Sequence, residues 1–321
     1  MLAYILRRLL YAVPILIGVN LLTFALFFVV NTPDDMARLQ LGAKHVTPES
    51  IERWKVEHGY DRPLLLNSRA TGSAQFTDTI FFRHSAAMFA FQFGKGDDGR
   101  DIANEIRTRM GPSLAIALPV FVIGLLVNIT FALLMVFFRA TYLDLWGVVL
   151  MSISGLFYII AGQYFIAKLW NLLPISGYAG GIDGFRFILL PVLVSVAAGI
   201  GSGARWYRTI FLEEIGKDYV RTARAKGLSE VRVLFRHVLK NGMIPILTGA
   251  VVVLPLLFMG SLITESFFGI PGLGSYTIDA IQAQDFAVVR AMVFLGSFLY
   301  IVGLILTDIS YSWVDPRVRL Q

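Results

Sequence analysis

The residues best suited to chemistry lie together in one polar segment, residues 205–241, between two long apolar stretches. Its nine basic residues are Arg205, Arg208, Lys217, Arg221, Arg224, Lys226, Arg232, Arg236 and Lys240, and its four acidic residues are Glu213, Glu214, Asp218 and Glu230. Charges of both signs at this density are suited to ion pairing and hydrogen bonding with a partner. We interpret the segment as a surface on which something outside the membrane acts.

Other kinds of chemistry find little support in the sequence. The four histidines (His45, His58, His84 and His237) are scattered without ligand spacing, so we predict no metal site. Cysteine is absent, which excludes disulfides and thiolate sites. No G-x-x-x-x-G-K-[ST] motif occurs, so the chain does not hydrolyse ATP by that route, and no His/Glu or Ser/His cluster suggests a membrane enzyme.

The elements that must position the polar segment are apolar helices. Hydrophobic residues make up 56% of the 321-residue chain and charged residues only 16%. Six blocks are long enough, or nearly so, to cross about 30 Å of hydrocarbon at about 1.5 Å per residue. These blocks are residues 9–30, 114–138, 146–167, 187–204, 242–264 and 291–307. We therefore predict an all-α membrane protein with six transmembrane helices, because helices of a soluble core rarely stay free of charge over such lengths.

The distribution of basic residues predicts the topology. Short loops on one side carry fourteen Lys or Arg residues, and those on the other side carry two, Arg186 and Arg290. The positive-inside rule then places both termini and segment 205–241 in the cytoplasm, and the long region 31–112 in the periplasm. The net charge of +6 is explained by this topology, so we predict no nucleic-acid partner.

Several local predictions concern the loops. Thr47-Pro48-Glu49 is typical of a helix start, with a helix to about His58 and Gly59 ending it. We expect residues 67–83 to be irregular, and a short helix at 101–109 to lead through Gly111-Pro112 into the second span. Residues 265–274 hold three glycines and a proline, which predicts a folded-back loop. Lys168, Glu265 and Asp308 lie near helix ends, where snorkelling explains them.

Segment 205–241 itself is predicted to form two helices, one from Phe211 to Lys226 and one capped by Ser229, with Gly227 as the hinge between them. Val231, Leu234, Phe235 and Val238 recur at helical spacing and predict an apolar face on the second helix. Such a hairpin could dock a partner protein, or it could lie on anionic lipid. The residues alone leave both alternatives open.

One run within this segment resembles a known family. Residues 218–227 (DYVRTARAKG), followed by Arg236-His237 and Asn241, look like the cytoplasmic loop of the permease subunits of ATP-binding-cassette (ABC) importers, in the version found in peptide and nickel importers. The general loop motif begins with Glu-Ala-Ala, where this chain has Arg221-Thr222-Ala223, and a Leu-Pro pair that often ends the motif is missing. Peptide-type permeases show the same departures.

The resemblance extends over nearly the whole chain. Residues 7–10 (RRLL), 59–64 (GYDRPL), 189–192 (LLPV), 265–274 (ESFFGIPGLG) and 315–317 (DPR) match the family in order and spacing. Two stretches depart from it, namely residues 67–100 and the third helix, which lacks the proline expected near Phe157. Both departures lie where solute or binding protein could be sensed.

The resemblance implies a B-type permease of a peptide or nickel ABC importer, with the type I permease fold and a large periplasmic loop. Residues 1–30 would form the N-terminus and first helix, 31–112 the periplasmic region, and 113–321 the core permease domain with the coupling loop 205–241. Implied partners are a second, different permease subunit, two cytoplasmic ATPase subunits and a periplasmic solute-binding protein, in a bacterial inner membrane. ATP and magnesium would belong to the ATPases, and this chain would hold no cofactor.

The resemblance also implies which residues couple the permease to an ATPase. We expect docking by Glu213, Asp218, Tyr219, Arg221, Thr222, Ala223, Arg224, Ala225, Lys226, Gly227, Ser229, Glu230, Arg236 and His237. The main alternative is a channel or secondary carrier that works without ATPases. A proton- or sodium-coupled carrier usually keeps a carboxylate inside the membrane, and the predicted helix interiors contain no ionisable residue.

Overall fold

In the parts that the computed structural model describes, which are residues 2–42, 46–138 and 141–314, the regular secondary structure is helical, apart from one isolated bridge between Lys95 and Asp101. The helices are α1 (Leu2–Ala25), α2 (Pro33–Leu41), α3 (Pro48–Glu57), α4 (Ala74–Thr77), α5 (Ile102–Phe138), α6 (Thr141–Ser152), α7 (Gly155–Gly162), α8 (Phe185–Ile215), α9 (Asp218–Ala225), α10 (Glu230–Val233), α11 (Lys240–Leu256), α12 (Leu262–Phe268), α13 (Leu273–Ala283) and α14 (Phe286–Val314). His45 and residues 315–317 of the sequence comparison lie outside the described residues.

Five helices are long and apolar enough to cross a membrane, and a bent pair of helices makes a sixth candidate span. The five are Leu10–Val30, Ile102–Phe138, Phe185–Ile215, Glu230–Met259 and Phe286–Ser310. Several of them contain π-helical turns, at Leu26–Val30 after α1 and at Leu234–Leu239 between α10 and α11. The predicted all-α membrane fold is confirmed, and the number of spans reaches the predicted six when the bent pair is counted as one span.

The third span is not the single helix that the sequence predicted. It consists of α6 and of α7 with its π-helical extension Gln163–Leu169, and the two parts meet at an angle of 85°. The break lies at Ser154, whose backbone is extended (φ −60°, ψ 141°) and whose carbonyl accepts from the N–H groups of Phe157 and Tyr158. A new helix therefore starts there, although no proline marks the position.

Two other predicted boundaries were also wrong. Helix α5 begins at Ile102 and runs through Gly111 and Pro112, so the short helix expected at 101–109 is the first part of the second span. The fifth span ends at Met259 rather than at Thr264, because Gly260 takes a positive φ of 66° that stops the helix. Thr264 instead belongs to the separate short helix α12.

The chain divides into two compact units, and the first comprises the residues up to Thr108 together with Tyr276–Ile301. Its core is aromatic and includes Phe24, Phe28 and Trp54. The sequence placed Arg290 in a loop, but it lies in α14 and is buried, with its guanidinium 4.6 Å from the centre of the Phe28 ring. It also donates a hydrogen bond to the Tyr60 hydroxyl at 3.2 Å.

Helix α3 in this unit begins and ends as predicted. Thr47 caps it by accepting from the Ser50 N–H, and Gly59 follows it with a φ of 70°. His58, at its end, approaches the Trp54 carbonyl at 2.8 Å and Asp97 at 3.3 Å, and the hydrogen bond with Asp97 raises the pKa of His58. Residues 67–83 are not wholly irregular, since α4 lies within them and a π-helical turn begins at Phe81.

The second unit comprises Arg109–Ser275 and the residues from Val302 onward. Helix α8 packs closely against both α6 and α7 in this unit. The contact with α6 depends on Gly201, because a Cβ there would lie 2.5 Å from the Met151 nitrogen and 2.7 Å from the Gly147 oxygen. The broken third span is thus held directly against the helix that leads into segment 205–241.

Candidate coupling segment and central cavity

Segment 205–241, here called the coupling segment, is a short helix held between two long ones. Helix α8 continues out of its span to Ile215, where Gly216 and the extended Lys217 interrupt it. Helix α9 follows, and after the turn at Gly227 the chain re-enters helix at Glu230. From there helical structure continues without a break through the π turn into α11.

This path corrects the predicted hairpin of two helices. The sequence suggested one helix from Phe211 to Lys226, but Gly216 ends the first helix, so the segment contains a separate coupling helix, α9. Gly227 does take the predicted left-handed conformation, with a φ of 76°, and its N–H donates to the Arg224 carbonyl at 2.9 Å. Ser229 occupies the N-cap position of α10, but its side chain makes no capping hydrogen bond.

One side of α9 anchors it to the bundle. Val220 and Ala223, three residues apart, are buried in a cluster with Phe211 of α8 and Val238 of the π turn. On the opposite side, the side chains of Asp218 and Arg221 are 95% and 75% exposed. Apolar packing therefore fixes the buried side of α9 to the bundle, and the opposite side presents charged groups to solvent.

A buried carboxylate fastens the start of α9. Glu214, near the end of α8, is 8% exposed and accepts hydrogen bonds from the Lys217 ammonium and the Tyr219 hydroxyl. Burial, together with this bond to Glu214, raises the pKa of Tyr219 to about 12. Glu213, which we expect to take part in docking, is exposed, whereas Glu214, which was not among the expected docking residues, makes these internal contacts.

An ion pair spans the turn at the other end of α9. Arg224 donates from Nε to one oxygen of Glu230 at 2.8 Å and from Nη2 to the other at 3.1 Å. This two-bond geometry fixes α9 relative to α10 more firmly than a single contact would. Arg208 of α8 pairs with Asp144 of α6 at 2.8 Å, and both ion pairs line a cleft of about 450 Å³.

The structure brings most of the predicted coupling residues together on α9 and the turn after it, but not all of them point outward. The side chains of Thr222, Ala225, Lys226, Ser229 and Glu230 are exposed, whereas Ala223 is buried and Tyr219 half-buried. Arg236 is exposed and His237 is half-buried in the π turn, away from α9 in sequence, and the His237 carbonyl accepts from Asn241 at 2.8 Å.

The apolar face predicted for the second helix is partly wrong. Leu234 and Val238 are buried as expected, but Val231 and Phe235 are 51% and 57% exposed. Val233 takes the inner position instead, at 1% exposed. The π turn at Leu234–Leu239 widens the helix and so shifts which residues face inward, which a strict 3.6-residue spacing cannot predict.

A cavity of about 680 Å³ lies within the second unit. Its walls come from α5, the start of α7, α8, the end of α11 and the residues that follow. The break in the third span contributes directly, since Ser154 and Gly155 line the cavity. Most of the wall is apolar, and the polar lining residues are Ser113, Ser154, Ser195, Ser261, Thr264 and Glu265.

Glu265 lies in the wall of this cavity and is only 1% exposed. Its carboxylate accepts from the backbone N–H groups of Gly274 (2.7 Å), Ser275 (3.1 Å) and Ser261 (3.2 Å). Snorkelling, which the sequence suggested for Glu265, is therefore wrong. The loop 265–274 does fold back as predicted, and the carboxylate is what its backbone folds around.

The glycines around Glu265 make room for its carboxylate. A Cβ on Gly260 would lie 1.9 Å from one carboxylate oxygen, and one on Gly272 would lie 2.2 Å from the other. Ser113 of α5 completes the arrangement by accepting from the Leu273 N–H at 2.8 Å. The side chain of Glu265 thus joins the end of the fifth span, the folded-back loop and the second span.

These features define a class of protein, a multi-pass membrane protein whose helices surround an internal cavity and carry a short charged helix between two spans. Two family models cover the chain, one described as "Binding-protein-dependent transport system inner membrane component" (residues 108–320) and one as the N-terminal part of such components (residues 1–111). The chain belongs to this family of inner-membrane transport components. The permease class suggested by the sequence resemblance is thereby confirmed.

Individual relatives match over their full length. The chain is 33% identical, over 99% of both chains, to a Brucella abortus protein provisionally named a peptide transport system permease protein. It is 28% identical to the oligopeptide transport system permease protein AppB of Bacillus subtilis, covering 99% of this chain and 100% of AppB. It is also 28% identical to the dipeptide transport system permease protein DppB of Escherichia coli strain K12, covering 99% of both.

Proposed function

We propose that this chain is a transmembrane subunit of an ABC importer that takes up peptides or peptide-like solutes delivered by a binding protein. The names of its relatives support the solute class, since those proteins are peptide, oligopeptide and dipeptide permeases. The observation that carries the coupling role is α9, a charged helix that packs on its inner side against the bundle and is joined by short turns to α8 at one end and to α10 at the other. A second permease, two ATPases and a binding protein would complete the importer.

In this proposal α9 docks in a cleft of one ATPase and transmits its movement. The buried contacts of Val220, the Glu214 hydrogen bonds and the Arg224–Glu230 pair make α9 move with α8 and α11 rather than independently. Closure of the ATPases on ATP would then tilt those spans and favour one of two states of the permease. If α9 could move independently of α8 and α11, the movement of the ATPases would not be transmitted to the membrane-spanning helices.

The topology of the proposal follows the distribution of basic residues. Both termini and the coupling segment would lie in the cytoplasm, where the ATPases are, and residues 31–112 would lie in the periplasm. The periplasmic region would contact the binding protein. Crosslinks from the binding protein that fall only on other loops would contradict that part.

Substitution in the coupling segment tests the proposal. Proline cannot adopt the φ of 76° at Gly227 and lacks the N–H that bonds to the Arg224 carbonyl, so Gly227→Pro should misalign α9. Joint reversal of Arg224 and Lys226 to glutamate should weaken ATPase docking. Both variants should insert normally yet uncouple peptide uptake from ATP hydrolysis in the reconstituted importer.

The control for these variants is Arg232→Glu, which reverses an exposed charge outside the proposed docking residues. It should retain uptake. Wild-type uptake by both coupling variants would refute the lever mechanism. If the purified chain moved peptide without ATPases or nucleotide, the alternative of a channel or secondary carrier would replace the importer.

A further inference from the structure

Residues 81–93, here called element 81–93, pack against the first and last spans, although the sequence predicts that the whole region 31–112 lies outside the membrane. The element consists of a π-helical turn (Phe81–Ser85), a 3₁₀-helical turn (Ala86–Ala90) and the three residues that follow. Its contacts with α1 and α14 show how far along each span it reaches.

Along α1, the element descends by one helical turn between two contacts. The ring of Phe81 is 5.1 Å from that of Phe24, and four residues later the Ser85 carbonyl accepts from the Asn20 side chain at 3.1 Å. Asn20 is buried and lies ten residues before Val30, where the candidate span ends. At about 1.5 Å per residue, Ser85 is therefore about 15 Å along the span, which is half of the hydrocarbon thickness of about 30 Å.

Along α14, the same element reaches a similar depth. The Phe89 ring is 5.4 Å from the ring of Phe294, and the Phe91 ring is 5.1 Å from that of Phe298. Arg290 is the last charged residue before the uncharged part of α14. Even when the hydrocarbon is taken to begin only at Arg290, Phe298 lies about 12 Å inside it.

The chain then returns to the side from which it came. The backbone N–H of Asp97 donates to the Asp285 carboxylate at 2.8 Å, just before α14 begins at Phe286. Six residues separate Phe91 from Asp97, and an extended chain of that length covers about 20 Å. This agrees with the roughly 18 Å of helix between Phe286 and Phe298. The element is therefore a hairpin that enters and leaves on one side of the membrane.

The backbone at the tip of this hairpin meets the requirement that hydrocarbon imposes. Irregular backbone at membrane depth must find its hydrogen bonds within the protein. The Ser85 carbonyl accepts from the buried side chain of Asn20, and the Phe91 N–H donates to the Met88 carbonyl at 2.9 Å. Asn20 is thus a polar residue in the middle of a span whose side chain serves the backbone of another segment.

The exposed side chains of the element separate by polarity. Phe89 and Phe91, whose rings contact α14, are 40% and 45% exposed. Arg83 and Gln92 instead line a groove of about 1100 Å³, which Glu57 also borders. Charged residues in the lining make the groove a place for water, whereas phenylalanine rings at this depth are suited to hydrocarbon.

We propose that element 81–93 is a re-entrant hairpin whose residues Phe89 and Phe91 contact the acyl chains of one leaflet, and that Asn20 holds it at that depth. The inference concerns residues 67–100, which depart from the family resemblance. It does not depend on the transport of peptides. In the proposed topology, these rings would lie in the periplasmic leaflet.

Single labelling sites test this directly, because the chain contains no cysteine. A nitroxide is attached to Phe89→Cys or Phe91→Cys in the full chain in nanodiscs. Its collisions with oxygen, which enters hydrocarbon, and with a polar nickel chelate, which stays in water, are measured by electron paramagnetic resonance. Leu22→Cys, 68% exposed within α1, is the membrane control, and Val56→Cys, 62% exposed on the charged helix α3, is the aqueous control.

We expect the ratio of oxygen to nickel collisions at positions 89 and 91 to be within about twofold of that at Leu22 and at least about tenfold above that at Val56, because hydrocarbon excludes the chelate. Ala90→Cys, whose side chain lines the groove between these two positions, should collide with nickel at least about threefold more often. Ratios at 89 and 91 equal to that at Val56 would overturn the inference, and so would equal nickel collisions at 89, 90 and 91.

The role of Asn20 has its own test. In the Phe91→Cys background, Asn20→Leu leaves the Ser85 carbonyl without its donor, so nickel collisions should rise about threefold as the hairpin withdraws. Thr23→Val is the matched control, since the Thr23 hydroxyl donates to the Val19 carbonyl of α1 itself at 2.8 Å. Equal effects of the two substitutions would overturn the role of Asn20.

A measurement on the unsubstituted chain covers the case in which the labelled variants do not fold. In native membranes, where the chain is assembled with its partners, a fatty acid carrying a diazirine is incorporated into lipids and activated by light. Trypsin, which cuts after Arg83 and Lys95, then releases residues 84–95. We expect this peptide to carry the lipid label and the peptides of α3 to lack it. An unlabelled peptide 84–95 would show that water or another subunit covers the rings, and would overturn the inference.

Discussion

Val220 is one of the buried side chains that hold the coupling helix to the bundle, so Val220→Ala should loosen the helix by a calculable amount. Val220 is 0% exposed and packs in the cluster with Phe211 and Val238. The substitution removes the equivalent of two methylene groups, worth about 1.6 kcal/mol of transfer free energy, and leaves a small cavity. A local destabilisation of about 2 kcal/mol follows, which corresponds to roughly a 30-fold larger population of the detached helix.

Hydrogen exchange of the backbone amides of α9 measures this population directly. In wild-type protein reconstituted in nanodiscs, the amides of residues 220–225 should exchange slowly, and Val220→Ala should accelerate them roughly 30-fold, because exchange reports local opening. In the assembled importer the same variant should hydrolyse more ATP per peptide transported. The reason is that part of the ATPase movement is lost in the loosened contact.

A matched substitution provides the control. Val231→Ala removes the same atoms from a side chain that is 51% exposed, so the exchange of α9 should change little. The reasoning is refuted if Val220→Ala leaves the exchange of α9 unchanged, or if Val231→Ala accelerates it equally. An accelerated exchange with an unchanged ratio of ATP to peptide would refute only the link between stiffness and coupling.

Three further predictions concern packing, pH and charge. Gly201→Ala should separate α6 from α8 and lower the Tm, since overpacking costs about 1–3 kcal/mol, whereas Gly199→Ala, which meets open space, should not. The raised pKa of His58 adds stability that is fully present below its unfolded pKa of about 6.5 and is lost as pH rises through the folded pKa. Thermal unfolding of the first unit should therefore occur at lower temperature at pH 8 than at pH 6, and Asp97→Asn should reduce that difference. Exchanging the two residues of the Arg224–Glu230 pair should change the free energy of unfolding by less than about 1 kcal/mol, because Glu230 is 61% exposed. Arg224→Glu alone should place two negative charges together and so increase the rate of hydrogen exchange at the backbone amides of α9 and of the turn after it.

The spans and the class of protein could be predicted because they depend on local composition. A block of about 20 apolar residues identifies a span wherever it packs. The run 218–227 was identified by its resemblance to the cytoplasmic loop of ABC importer permeases, whereas its residue types and spacing alone left both a protein partner and a lipid surface open. The left-handed conformation of Gly227 could be predicted as well, since glycine after a helix commonly adopts it.

The features that were missed depend on long-range geometry. The bend at Ser154 was missed because proline, the usual marker, is absent, although the pair Ser154-Gly155 is a sequence at which helices also bend. The π turn moved Val233 to the inside and Val231 to the outside, although a regular helix predicts the reverse. The predicted helix from Phe211 to Lys226 runs through Gly216, yet the structure ends α8 at that glycine.

The environment of Glu265 could not be predicted from position alone. Near a helix end, an acidic residue usually reaches water, and the sequence analysis assumed that it did. One signal was available, because Gly260, Gly272 and Gly274 lie close to Glu265 in the sequence, and glycines allow a backbone to approach a side chain. The donation of three backbone N–H groups to its carboxylate becomes visible only once the loop is folded.

The length of α8 determines how far the coupling segment lies from the charged lipid surface. At about 1.5 Å per residue, the 31 residues of α8 extend roughly 46 Å, about 16 Å more than the hydrocarbon needs. With α8 along the membrane normal and all of its excess length on the side of Gly216, the headgroups occupy roughly 6 Å of that excess and Gly216 lies about 10 Å beyond them. At physiological ionic strength the surface potential of anionic lipids decays over about 8 Å. The charged face of α9 is thus largely screened from the bilayer, which favours a protein partner over a lipid surface, and its docking should be nearly independent of the fraction of anionic lipid.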